Sequence, residues 1–133
     1  MTADRIDRIR EVLDRRQPDL TVLMEKVHKP HNFSAILRTC DAVGVLETHA
    51  VPPEDGLSLH ESVAKGAARW VRVRRHDSVE EAATHLRDHG SRIVAAHPSE
   101  TAVDFRTLDY TGPTAFLVGT ELYGLSDRAV ELA

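Results

Sequence analysis

Residues 23–45 constrain the fold of this chain more than any other stretch. A short apolar strand runs into the turn Pro30-His31-Asn32, and the turn opens a helix that Gly44 can end in the left-handed conformation. That helix carries one arginine, Arg38, in its second turn. A strand that passes directly into a helix is typical of α/β sheets, which bind ligands at that edge. The stretch therefore predicts a strand–helix unit with polar groups placed for binding.

The same alternation of apolar strands and periodic helices continues along the chain. We expect a helix over residues 3–16, one from Asn32 as its cap to Gly44, one over 61–68, one capped by Ser78 and followed by Gly90, and a last one that starts at Ser126 or Asp127. We expect strands at 21–24, 47–51, 70–74, 92–96 and 114–118. The pattern predicts an α/β domain with a mostly parallel sheet and helices on both faces, preceded by a basic helical extension over residues 1–20.

Composition narrows the class of protein. The 133 residues are 41% hydrophobic and 29% charged, as in an ordinary globular protein. Cys40 is the only cysteine, so no disulfide can form within the chain, and we expect a cytoplasmic protein with Cys40 in the core. No apolar run approaches the ~20 residues that a membrane span needs, so we expect no membrane partner.

Positive charge is concentrated in two clusters, although the net charge of −4 argues weakly against a nucleic-acid partner. The candidate phosphate-binding residues are Arg8, Arg15 and Arg16 in the first helix and Lys65, Arg69 and Arg72 around Trp70. Cations beside an aromatic ring suit phosphate attraction with base stacking. A solvated strand and loop would have the same composition.

Metal binding is not predicted. His28 and His31, or His85 and His89 one helical turn apart, could approach one ion, but neither pair has a nearby cysteine or an evident third ligand.

Two polar constellations remain. Asn32 and Arg38 lie six residues apart, close to two helical turns, so both could lie near one face of the helix. Gly119, Glu121 and Gly124 follow an apolar strand, and the glycines allow a close approach of the backbone to a ligand. Alternatively, Asn32 is only a helix cap and Arg38 only a surface residue. The alternative for the glycine-containing stretch is a plain strand-to-helix turn.

Together and in this order, the two constellations resemble the motifs of the SPOUT superfamily of RNA methyltransferases, in its SpoU/TrmH branch of ribose 2′-O-methyltransferases. Residues 15–22, 29–32, 38–45 and 103–106 are similar to the TrmH subgroup itself, which methylates guanosine 18 in the D-loop of tRNA. The resemblance thus implies a tRNA (guanosine(18)-2′-O)-methyltransferase, with a ribosomal-RNA ribose methyltransferase as the alternative.

The resemblance also implies site residues. S-adenosylmethionine would donate the methyl group without a metal, Arg38 would be the catalytic arginine, and Asn32 and Glu121 would orient Arg38, the ribose or the cofactor. Arg38 could activate the 2′-hydroxyl as a base. Arginine has a pKa above ~12 and is a poor base at neutral pH, so Arg38 could instead hold a phosphate and stabilise the developing alkoxide. The cofactor would lie against the strand ends, at Ala96, His97, Gly119 and Gly124.

In this family a third motif forms a deep trefoil knot, completes the cofactor pocket and supplies most of the homodimer interface. The sequence has no match to that motif before Ala133. We therefore expect residues 21–133 to form a partial domain of the SPOUT (α/β knot) type that lacks the knot segment. A non-catalytic remnant that binds RNA weakly is a further alternative.

Overall fold

The computed structural model of the protein describes residues 1–55 and 69–133. The helices are α1 (Ala3–Asp14), α2 (Pro30–Val43), α3 (Val79–Asp88) and α4 (Asp127–Leu132), with a 3₁₀ turn at Phe105–Thr107. The strands are β1 (Leu20–Glu25), β2 (Glu47–Val51), β3 (Arg72–Arg75), β4 (Arg92–Ala95) and β5 (Thr114–Val118). The helix predicted over 61–68, together with Lys65, lies outside the described residues.

The five strands form one parallel sheet in the order β3-β2-β1-β5-β4. Helices cover both faces, as two separate apolar clusters show. One cluster joins α3 and α4 to the sheet through Leu23, Leu86 and Ala129, and the other joins α2 through Met24, Phe33 and Leu37. Adjacent strand residues therefore serve opposite faces, as a pleated strand requires. The predicted α/β architecture is confirmed.

Helix ends follow the local chemistry of the sequence in most places. Ser78 and Ser126 accept hydrogen bonds from the amides of Glu81 and Ala129, and so cap α3 and α4. Gly44 ends α2 with φ +86°. The prediction that Asn32 caps α2 is wrong, because the helix begins at Pro30 and Lys29 is its cap residue. Proline is favoured at the first helical position, where its missing N–H costs nothing. Asn32 thus lies in the first turn, with its amide free for other contacts.

Helix α1 has no buried residue, and it is held to the domain by contacts of the residues that follow its C-terminal end. Arg16 donates to the Asp41 carboxylate at 2.9 Å and to the Val45 carbonyl at 3.4 Å, and its side chain is only 9% exposed. The Gln17 amide bonds to the Gly44 carbonyl at 2.6 Å. These contacts tie the end of α1 to the end of α2.

Two buried histidines and a buried cysteine occupy the interior. Burial lowers the pKa of His49 to about 4 and also lowers that of His76, so both imidazoles are neutral at pH 7. Burial raises the pKa of the Cys40 thiol to about 11, which agrees with the expected core position. Within residues 1–55 and 69–133 no helix combines the length and apolar character needed to cross a bilayer.

Candidate active site at the carboxyl edge of the sheet

Parallel pairing of β1 with β5 brings the two sequence motifs together. Met24 lies opposite Val118, so both strands end at the same edge of the sheet. The turn that leads into α2 follows β1, and the loop that starts at Gly119 follows β5. Because carboxyl ends of parallel strands meet at one edge, this is where an α/β sheet binds ligands.

Asn32 and Glu121 connect the two motifs directly. The Asn32 side-chain amide donates to Glu121 Oε2 at 3.2 Å, and Lys29 Nζ lies 3.7 Å from the same oxygen. A cavity of about 180 Å³ opens beside them, lined also by Thr120 and Tyr123. The structure therefore joins two of the three predicted catalytic residues across 89 positions of sequence.

The loop that carries Glu121 is closed by backbone hydrogen bonds. The amides of Thr120 and Gly124 each donate to the other's carbonyl, at 3.0 and 2.9 Å, and Thr120 Oγ1 accepts from the Tyr123 amide. Gly119 packs so closely that an added Cβ would lie 2.2 Å from the Gly124 carbonyl oxygen. Gly124 has φ +66°, a conformation that glycine adopts without strain. Both glycines are thus needed for the loop that presents Glu121.

Arg38 lies apart from this contact. It is exposed on α2, and its side chain makes no hydrogen bond or ion pair with any residue in the described part of the chain. Six residues of helix separate it from Asn32 by about 9 Å along the axis and by about 120° around it, so the prediction that both lie near one face is wrong. Its catalytic role remains a prediction, and its guanidinium is available to a ligand.

Glu25, at the end of β1, was not singled out in the sequence. It is 3% exposed and accepts hydrogen bonds from the Ser126 amide at 2.9 Å and the Ser126 hydroxyl at 2.6 Å. The carboxylate thereby fixes the start of α4 next to the motif loop. The sequence signal for this role is that Glu25 is an acidic residue at the end of an otherwise apolar strand.

A larger cavity of about 750 Å³ lies along β4. Ala96 and His97 line it, together with Val94 and Phe116, whereas Gly119 and Gly124 do not. The Ala96 amide bonds to the Leu117 carbonyl at 2.9 Å, so this cavity and the motif loop flank the same end of β5. The volume falls in the range of small-molecule pockets, and the lining combines apolar side chains with strand-end backbone.

The arginines of the first cationic cluster line a groove that also contains Trp70, the aromatic residue of the second cluster. Arg8, Arg15 and Arg16 line it with Trp70, in a volume of about 330 Å³. Arg8 and Arg15 have side chains 69% and 77% exposed and pair with Glu11, whereas Arg16 is held by Asp41.

Next to this groove, Arg69 is exposed, and Arg72 is 72% exposed and pairs with Glu47. The RNA contacts of these residues remain predictions, and Arg16 has a structural role in addition.

Fold and site together define a class of protein: a parallel α/β domain whose binding groups follow the central strands. The model of the SpoU rRNA Methylase family matches residues 19–133, and the chain belongs to that family.

Three known proteins are similar to the chain. The tRNA (guanosine(18)-2′-O)-methyltransferase of Thermus thermophilus is 54% identical over 132 residues, with 99% of this chain and 68% of that protein covered. The crystal structure of the Aquifex aeolicus TrmH/SpoU tRNA modifying enzyme superposes with a TM-score of 0.86 at 42% identity, covering 98% of this chain and 66% of that one. The crystal structure of an AdoMet-bound rRNA methyltransferase from Sinorhizobium meliloti superposes with a TM-score of 0.72 at 29% identity, covering 88% of this chain and 49% of that one. The chain thus spans between about half and two thirds of the length of these relatives.

Proposed function

We propose that the protein acts as a tRNA (guanosine(18)-2′-O)-methyltransferase that uses S-adenosylmethionine. The observation that carries the proposal is the hydrogen bond between Asn32 and Glu121, which joins the two family motifs at the edge of the sheet. The 54% identity to the Thermus thermophilus enzyme over nearly the whole chain supports the choice of substrate.

The residues at the carboxyl edge suit S-adenosylmethionine. Its adenosine needs apolar surface and a few backbone donors and acceptors, and the cavity along β4 offers Ala96, His97 and Phe116 for that purpose. The Gly119–Gly124 loop would bound the site on the β5 side. When bound, the cofactor supplies an electrophilic methyl group on a sulfonium, so the reaction requires no metal.

We assign Arg38 to the acceptor ribose. Its exposed cationic side chain can hold a neighbouring phosphate and stabilise the negative charge that develops on the 2′-oxygen. Asn32 and Glu121 would hold the turn and the motif loop in register, so that ribose and methyl donor meet at a fixed distance. Positioning of this kind supplies much of the rate enhancement in a transfer between two bound substrates.

The groove between α1 and Trp70 is the proposed tRNA contact. Arg8, Arg15 and Arg69 would contact phosphates, and Trp70 is half-buried beside them, with its ring available for stacking. Shape recognition of a folded RNA relies on such backbone contacts. We further propose that the active enzyme is a homodimer, as the family resemblance implies.

The test uses two tRNA transcripts that differ in one oxygen. Wild-type protein should transfer a labelled methyl group to unmodified tRNA and none to the same tRNA with 2′-deoxyguanosine at position 18. Arg38→Ala should abolish transfer while leaving the calorimetric affinity for S-adenosylmethionine within about twofold. Normal turnover in Arg38→Ala would contradict the catalytic role assigned to Arg38. Methyl transfer to ribosomal RNA but not to tRNA would contradict the assignment of tRNA as the substrate.

A further inference from the structure

A cluster of histidines lies on the face of the sheet opposite α2 and has no part in the proposed methyl transfer. Glu47 and His49 alternate along β2 with residues that face α2, so both point toward α3. His85 faces them from the middle of α3, with its ring 5.4 Å from that of His49. One ligand atom from each of Glu47, His49 and His85 lies within 4.8 Å of the other two.

We propose that Glu47, His49 and His85 form a zinc site that ties α3 to β2. Two imidazole nitrogens and one carboxylate oxygen are a donor set typical of zinc, with a water as the fourth ligand. Zinc–nitrogen bonds of about 2.0–2.1 Å place tetrahedral ligands roughly 3.3 Å apart. His49 Nε2 and Glu47 Oε1 are already 3.7 Å apart. The His85 ligand nitrogen lies within 4.8 Å of both, so the site requires the His85 side chain to approach them by up to about 1.5 Å.

The other ring nitrogen of His49, Nδ1, already has a partner in His76. His49 Nδ1 lies 2.9 Å from His76 Nε2, and His76 Nδ1 faces Glu81 Oε1 at 3.7 Å. If His49 Nδ1 carries the hydrogen and donates it to His76, the Nε2 lone pair points toward Glu47 and the proposed ion. A ligating histidine is held in this way by a partner on its other nitrogen. Both rings are almost fully buried, which fixes their orientation.

One competitor for the carboxylate is present. Arg74 donates to Glu47 Oε1 at 3.2 Å, whereas Arg72 donates to the other oxygen at 3.4 Å. The Arg74 side chain is 43% exposed and can turn into solvent, so the ion would replace it at Oε1 while Arg72 keeps Oε2. Removal of Arg74 should therefore strengthen zinc binding, which a nonspecific surface site would not do.

The experiment is a calorimetric titration of the 133-residue protein with zinc chloride, repeated with Co²⁺ to follow the visible absorption of a tetrahedral complex. We expect one ion per chain, a loss of at least about tenfold in affinity for His85→Ala and Glu47→Gln, and a several-fold gain for Arg74→Ala. His31→Ala, an exposed histidine outside the cluster, is the matched control and should bind as the wild type does.

Circular dichroism checks that each variant is folded. If Glu47→Gln is unfolded, the zinc affinity of His85→Ala decides whether the proposed site exists. The proposal is overturned if the wild type takes up no zinc, if folded His85→Ala binds as tightly as the wild type, or if affinity is lost in His31→Ala instead.

Discussion

Replacing Gly119 with alanine tests the motif loop most directly. A Cβ at this position lies 2.2 Å from the Gly124 carbonyl oxygen and 2.6 Å from the Leu125 nitrogen, closer than the 3.0 Å that real Cβ atoms respect. Both neighbours are backbone atoms, so no side-chain rotation can relieve the overlap. The chain on one side of the loop must move.

The size of the effect follows from these contacts. Overpacking costs about 1–3 kcal/mol, and opening the Thr120–Gly124 bridge forfeits two hydrogen bonds of about 1 kcal/mol each. We therefore expect Gly119→Ala to lose roughly 3–5 kcal/mol of unfolding free energy, a large share of the 5–15 kcal/mol typical of a domain. Displacement of Glu121 should also weaken binding of S-adenosylmethionine.

Urea denaturation followed by circular dichroism measures this loss, with Gly112→Ala as the matched control. No atom lies within 4 Å of a Cβ added at Gly112, so that variant should stay within about 0.5 kcal/mol of the wild type. A Gly119→Ala protein as stable as the control would refute the argument from close approach.

Three further predictions follow from single contacts. Ser126→Ala removes the cap of α4 and one of the two hydrogen bonds to the buried Glu25 carboxylate, so urea denaturation should show a loss of about 2–4 kcal/mol. Because burial raises the pKa of Cys40 to about 11, its thiol should react with an aromatic disulfide reagent only on unfolding. The new thiol of Thr39→Cys, at an exposed position, should react at once. Equal reaction rates for the two thiols in the native protein would count against the buried position of Cys40. Gly44→Ala combines φ +86° with a Cβ 2.4 Å from the Arg15 carbonyl oxygen, so its thermal midpoint should fall well below that of Gly112→Ala, and equal midpoints would exclude strain at this helix end.

Predictions made from neighbouring residues succeeded because their causes are local. The caps at Ser78 and Ser126 and the helix end at Gly44 each depend on one side chain or one φ angle. One local error, Asn32 as the cap of α2, arose because Lys29 is the cap residue and the helix starts at Pro30, three residues earlier than predicted. The structural contact of Arg16, a candidate phosphate-binding residue, has no local signal in the sequence, because its partner Asp41 lies 25 residues away.

The sequence by itself determined the alternation of strands and helices, the spacing of the two motifs and their resemblance to the family. Only the tertiary structure decided which strand ends are neighbours. Placing β5 beside β1 brings Glu121 to Asn32, and placing α3 over β2 brings His85 to His49, although no periodicity links either pair. Helical and strand periods arise from hydrogen bonds a few residues apart, whereas sheet order arises from burying both faces of the sheet at once, which depends on the whole chain.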